Sequence, residues 1–299
     1  MTNTPSDTAE RSAHHYAYLS IAAALATIGL KAGAWWVTGS VGLLSDALES
    51  VVNLAGAVFA LWMLLIANSP PDDKHPWGHS KAEYFSSGFE GTLIFVAAIA
   101  IAVTATPRLL HPEPLGSLDI GLALSVLSTL INFATAQTLF AAGKRLHSIA
   151  LEADAKHLMT DVWTTVGVLI GIVLVPLTGW LWLDPVIALL VAAHILKEGA
   201  HLMRGAVGGL MDEAMEPQEQ EAVVSVLNRF LELGVHWQNL RTRRAGRDRF
   251  LHLDLLVPPD WTVERAHQLA DNVEDAIGAT IPGAKVTTHV EPMRAPFVQ

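Results

Sequence analysis

Six stretches of this chain stay apolar for long enough to cross the roughly 30 Å hydrocarbon core of a bilayer. They lie near residues 17–37, 41–66, 84–109, 117–142, 149–176 and 184–207. Short polar or Pro/Gly-bearing breaks separate them, such as Thr38-Gly39-Ser40, 68–80, His111-Pro112-Glu113-Pro114, 143–147 and 176–182. A segment in lipid has to satisfy its own backbone polar groups, so each run reads as a helix. The predicted fold is a membrane α-helical bundle of six transmembrane helices over 17–210. Composition agrees, because only 16% of residues are charged where soluble domains carry roughly 25%.

Residues 1–16 are polar and lack the layout of a cleaved signal peptide. They read as an N-terminal tail before a retained first helix. Arg11, Lys74, Lys81, Lys144, Arg145 and Arg204 fall on one side of the predicted bundle, and only Arg108 on the other. The bias of basic residues toward the cytoplasm therefore predicts that both termini are cytoplasmic. Trp35, Trp36, Trp180 and Trp182 fall at the opposite, outer interface, where indoles concentrate. The chain has no cysteine, which excludes disulfides and thiolate metal sites. A formal net charge of −10 argues against nucleic acid as a partner.

After residue 210 no run is long and apolar enough to span. Residues 218–233 read as an amphipathic helix behind Pro217, and 239–242 and 250–257 as strands. Thr262 caps a helix running to about Gly278, and 284–290 reads as a last strand. Residues 211–299 thus form a small C-terminal cytoplasmic α+β domain. So small a domain buries limited apolar area, which leaves room for a partner surface or a bound metal.

Inside two of the spans one pattern repeats. Asp46-Ala47-Leu48-Glu49-Ser50-Val51-Val52-Asn53 in the second is matched by Asp154-Ala155-Lys156-His157-Leu158-Met159-Thr160-Asp161 in the fifth. Residues three, four and seven apart share a helix face, so each copy aligns a polar stripe. Ionisable groups are costly in lipid and face partner helices or water. Such stripes either tie helices together by hydrogen bonds or bind an ion. Glu49, Asn53, His157 and Asp161 supply four donors of the kind used by zinc and related dications. Asp46 and Asp154, one turn earlier, are second-layer, pathway or interfacial groups. Lys31 and Glu90 are further charges in or near spans, with no partner fixed by the sequence. Lys156 can snorkel to the surface.

Two other clusters contain metal-type ligands. Asp72, His75 and His79 share one loop and could close on an ion or simply be solvated. His236, His252, Asp254, His267, His289 and Glu291 lie in the C-terminal domain. His252 with Asp254, and His289 with Glu291, are two apart on strands and share a face.

Together these residues resemble the cation diffusion facilitators. The doubled D-A-x-ligand-x-x-x-oxygen pattern carries the resemblance, as do Gly39-Ser40 and the D-D-x-H-x-x-G-H-x-K-A-E stretch over 72–83. Leu240-Arg241-Thr242-Arg243, Arg265-Ala266-His267 and the closing His289-x-Glu291-Pro292 are similar to the bacterial zinc/iron exporter branch. The resemblance implies a homodimer of six-helix protomers, with metallochaperone-like cytoplasmic domains, in a bacterial inner membrane. It implies export of divalent metal in exchange for protons, with Zn2+ favoured over Fe2+, Co2+, Mn2+ or Cd2+. It makes Glu49, Asn53, His157 and Asp161 the transport site, and Asp72, His75 and His79 a loop site. A dimer-associated cytoplasmic site would draw on Asp254, His267, His289 and Glu291. Lys81 would pair with Asp212 near the dimer interface.

This chain departs from the family where a His or Asp followed by Asp is usual, since it has Glu49 and Asn53. The cytoplasmic ligands are also displaced: Gln238 and Asp254 stand where the branch has His, and His236 and His252 precede them by two. No nucleotide-binding G-x-x-x-x-G-K-[ST] motif occurs, so an ion gradient is the expected energy source. A secondary transporter rather than an enzyme is the leading reading. The rivals are a metal sensor or scaffold on a membrane anchor, and an intramembrane metal-dependent hydrolase. The hydrolase lacks an H-E-x-x-H motif and an evident substrate groove.

Overall fold

A computed structural model of the chain describes residues 5–146 and 149–293. Six long helices come first: α1 (Pro5–Thr38), α2 (Val41–Ala67), α3 (Ala82–Leu110), α4 (Leu118–Leu146), α5 (Ile149–Thr178) and α6 (Leu183–Leu210). Each contains a segment long and apolar enough to span a membrane. Helix α1 begins at Pro5 instead of near residue 17. Proline is favoured in a first helical turn, and no glycine or second proline interrupts the polar residues behind it. Residues 1–4 of the expected tail lie outside the described residues. So does His147 of the expected 143–147 break, and α4 continues through the rest of that break to Leu146.

The chain divides into two compact units. One takes in the described residues up to Val58 together with Phe89–Leu202, and the other Phe59–Gly88 and the residues from Met203 onward. In the first unit α1 packs on α4, and α4 on α5. Ala136, Leu139 and Ala142 of α4 meet Leu151, Ala155 and Leu158 of α5. Small side chains at these contacts let helices approach closely where lipid offers no hydrophobic drive. Val52 of α2, Ile94, Ala98 and Ile101 of α3, and Ala188 and Ala192 of α6 form a second cluster. Many apolar side chains face outward on these helices, among them Val103, Leu130 and Leu177, as a lipid-facing surface requires.

The start of α2 is pinned. Gly39 takes a left-handed φ of 64° to end α1, a conformation glycine adopts freely. Buried Asp184 of α6 then accepts hydrogen bonds from the Val41 and Gly42 backbone amides at 2.8 and 3.1 Å, and from Ser40 Oγ at 2.5 Å. A carboxylate on the orphan amides of a helix N-terminus is favoured by hydrogen bonding and by the helix dipole. This contact sets where α2 begins, and so the level of the turns bearing Glu49 and Asn53.

In the second unit, helix α7 (Pro217–Arg229) ends earlier than the expected 233 and continues as a 3₁₀ turn over Phe230–Leu233. Strands β1 (His236–Ala245) and β2 (Asp248–Val257) pair antiparallel, helix α8 (Val263–Thr280) follows, and β3 (Ala284–Pro292) pairs parallel to β2. Thr262 Oγ1 accepts from the Arg265 amide and caps α8. Strand β1 is longer than the expected 239–242. A register shift lies between Gln238 and Arg241, and Asn239 there has φ 54°. Leu251, Leu253 and Leu255 of β2 pack with Val223 and Leu227 of α7 and with Val273 and Ile277 of α8. Strand side chains alternate in direction, so His252 and Asp254 project from the opposite face of the sheet to the helices.

Candidate metal-transport site

Glu49 and Asn53 lie one turn apart on α2, as His157 and Asp161 do on α5. All four line a single cavity of about 420 Å³ within the first unit. Asp161 is only 7% exposed, and it shares this lining with Asn53 of the other helix. The acidic and imidazole donor atoms of Glu49, His157 and Asp161 are not all within 4.8 Å of one another. They stand around the cavity rather than collapsing onto one another.

The same cavity is lined by Glu90 of α3 and by His194 and Glu198 of α6. Sequence reasoning noted Glu90 without a role and missed His194 and Glu198. Their i,i+4 spacing inside the last apolar run repeats the ligand spacing of α2 and α5, and was the available signal. Glu90 lies against α2 at Gly56, where an added Cβ would come within 3.0 Å of Glu90 Cγ. A second cavity of about 290 Å³ is lined by Asn53, His157 and Asp161 together with Asp154 and Asn132. Asn132 Oδ1 is buried and has no hydrogen-bond partner among the described residues. The two leading aspartates of the doubled pattern therefore part company. Asp154 borders a cavity, while Asp46 is buried against Lys31 at 2.9 Å.

The loop residues of the second unit converge. His75 Nδ1 is 3.0 Å from Asp72 Oδ1, His79 Nε2 is 3.1 Å from His75 Nδ1, and His79 Nε2 is 3.5 Å from Asp72 Oδ2. Among the described residues this is the one trio of acidic or imidazole ligands whose donor atoms all lie within 4.8 Å. The His75 backbone N–H leads the donors that hold the Asp72 carboxyl below its ordinary range, with the His75 ring and the Lys74 backbone N–H adding to it. An ionised carboxylate beside two imidazoles is a normal partial coordination set for zinc.

The C-terminal ligands are only partly assembled. His289 is in register with Asp254 across the parallel pair, and His252 Nε2 lies 3.8 Å from Asp254 Oδ1. These three and Glu291 share the open face of the sheet. Asp254 Oδ2 accepts from Asn239 Nδ2 at 2.6 Å. His236 sits at the start of β1, opposite Leu256. His267 is on α8, on the helical side of the sheet, with its ring nitrogen 3.8 Å from Asp271. The structure thus separates His267 from the other candidate ligands of the domain. Spacing alone could not assign a helix residue to one side of the sheet.

Lys81 Nζ lies 2.8 Å from Asp212 Oδ1, and Arg243 donates to the same oxygen at 2.9 Å. The hydrogen bond from Lys81, ahead of that from Arg243, holds the Asp212 carboxyl below the usual range.

A family model described as the cation efflux transmembrane domain matches residues 17–211, and the cation efflux protein cytoplasmic domain matches 215–293. The chain belongs to the cation efflux family. It is a multi-pass cation efflux transporter and not an enzyme, and the family's cargo is divalent metal cations. It is 52% identical over 286 residues to the "Uncharacterized transporter sll1263" of Synechocystis sp., covering 96% of this chain and 92% of that one. It is 33% identical over 276 residues to the cation-efflux pump FieF of Yersinia pestis, covering 91% of this chain and 90% of that pump. The metal-bound C-terminal domain of the CzcD transporter from Thermotoga maritima is 29% identical, with a TM-score of 0.24, over 26% of this cation efflux protein and 94% of that domain.

Proposed function

We propose that this cation efflux protein is a proton-coupled antiporter that exports a divalent metal, Zn2+ first, from the cytoplasm. It would act as a homodimer in a bacterial inner membrane with both termini cytoplasmic. The observation that carries this reading is the one cavity lined by Glu49, Asn53, His157 and Asp161. Two carboxylates and one imidazole match the preferences of zinc-like ions, and the lack of thiolate removes any bias toward copper(I). Imidazole binds metal only through an unprotonated nitrogen, and the carboxylates bind either metal or protons. The arriving ion therefore displaces protons, and alternating exposure of the cavity exchanges one for the other. The Asn53 amide oxygen supplies the fourth donor. The loop trio and the open face of the sheet are proposed as further metal positions, and the Lys81–Asp212 pair as an element of the dimer interface.

The test is zinc flux in proteoliposomes under an imposed pH gradient. Parent protein is expected to move zinc against the proton gradient, and His157→Ala and Asp161→Ala to lose at least about 90% of the flux, roughly a 1.4 kcal/mol loss of transition-state or binding energy. Parental flux in both variants, or parental flux indifferent to the pH gradient, would reject the site or the coupling respectively.

A further inference from the structure

Lys31 is a full charge placed inside an apolar span. It lies on α1 with 2% of its surface exposed. Its Nζ is 2.9 Å from Asp46 Oδ1 and donates to Ser50 Oγ at 2.9 Å. Thr165 Oγ1 donates to the same Asp46 oxygen at 2.8 Å. Asp46 is likewise 2% exposed, and its second oxygen, Oδ2, has no hydrogen-bond partner among the described residues. Removing such ions from water costs several kcal/mol each and is offset only by good pairing. A hydrophobic pair of similar volume would hold the helices at least as well, so packing alone does not explain these charges.

The position of the pair points to what it does. Asp46 precedes Glu49 by one turn of α2, Ser50 is next to Glu49, and Thr165 follows Asp161 by one turn of α5. The network is therefore tied to the turns that carry Glu49 and Asp161. Lys31 and Asp46 both act electrostatically on Glu49 and on Asp161.

We infer that Lys31 is a positioning and charge-balancing residue of the transport site: it neutralises Asp46 and keeps that carboxylate out of the metal's ligand set, so that Asp46 adds no unpaired anion to the carboxylates that line the cavity. This rests on the transport reading above. One more unpaired carboxylate near a dication would bind it more tightly and release it more slowly. The Lys31–Asp46 pair instead leaves an affinity compatible with turnover, while Thr165 and Ser50 hold the pair in place.

The charges predict opposite signs for the two single variants. Lys31→Met leaves Asp46 uncompensated, one turn from Glu49. Asp46→Asn leaves a buried cation that repels the cargo. At a few ångströms beyond contact and an effective dielectric of about 20, each unbalanced charge is worth about tenfold or more in affinity. Zinc affinity of the full-length protein in lipid nanodiscs would be read by competition with a chromophoric chelator, and flux in proteoliposomes. Lys31→Met is expected to bind zinc about tenfold more tightly and to turn over more slowly. Asp46→Asn is expected to bind about tenfold more weakly. The double variant, which carries neither charge, is expected within about threefold of the parent. Affinity falling in both single variants, as a purely structural role requires, would overturn the inference. So would affinity unchanged in both. If a single variant does not fold, the double variant decides, and a loss of tenfold or more in it would likewise overturn the inference. His157→Ala is run alongside: if it binds and transports like the parent, the transport-site reading fails instead.

Discussion

Asn53 on α2 and Asp161 on α5 line the same cavity, which Glu49 and His157 also border. A carboxylate at position 53, usual in the family, would set two anions against each other there. The amide avoids that repulsion. Asn53→Asp is expected to raise zinc affinity by about tenfold, since it adds a carboxylate ligand. Asn53→Ala is expected to lower affinity by a similar factor. Chelator competition on the purified protein measures both, and equal affinities in all three proteins would remove position 53 from the ligand set.

Asp212 accepts from Lys81 and Arg243 and has a left-handed φ of 59°. Its folded carboxyl titrates below the ordinary value of 3.8. The pairing therefore contributes stability above that value and loses it as pH falls through the lower, folded one. The group is about half exposed, so the contribution is about 1 kcal/mol at most. Asp212→Asn is expected to cost that much near pH 7 and little near pH 2. Asp212→Ala is expected to cost more at both, because Asn tolerates the left-handed region better than Ala. Thermal unfolding at the two pH values checks the ordering.

Gly246 makes the tight turn between β1 and β2 with φ 56°, and an added Cβ would meet the Ser80 carbonyl oxygen at 2.5 Å. Its amide donates to Tyr84 Oη at 3.0 Å, and Ser80 Oγ donates to Asp248 Oδ2 at 2.6 Å. Gly246→Ala is expected to destabilise by about 2 kcal/mol or more, from strain and overlap together. Gly246→Asn relieves the dihedral strain but not the overlap, so it should also lower the melting temperature. An unchanged melting temperature in Asn would leave only the dihedral term.

His252, Asp254 and His289 share one face of the sheet, and His267 lies on the other side. If the C-terminal domain holds metal through one protomer's open face, His252→Ala or His289→Ala lowers the number of ions bound per chain. His267→Ala then leaves the number unchanged. Metal content after equilibrium dialysis of the full-length protein reads both. Loss of an ion in His267→Ala alone would place the site elsewhere, with His267 as a ligand.

The spans were legible because lipid imposes one requirement on every residue of a run, and a sum over twenty residues tolerates individual exceptions. The strands and α8 were legible for similar reasons: alternation in β2 and the Thr262 cap are local signals. Boundaries were less so. Helix α1 reaches back to Pro5 through polar residues, and β1 extends through a bulge at Asn239, because polar composition does not forbid helix and tertiary pairing lengthens a strand. The partners of Lys31 were not legible at all. Ion pairs between helices depend on rotation about each axis, and periodicity gives a face but not what it meets.

Sequence by itself determined that the chain has six spans and a small α+β domain, and which side chains on α2 and α5 have the chemistry to grip a dication. These follow from hydropathy, period and ligand type, all local properties. Only the tertiary structure decided that Glu90, His194 and Glu198 share the cavity of Glu49 and Asp161, that Asp46 is occupied by Lys31 while Asp154 is not, and that His267 stands apart from His252 and His289. Those outcomes depend on how helices and strands from distant parts of the chain are turned toward one another, and packing fixes that rotation collectively.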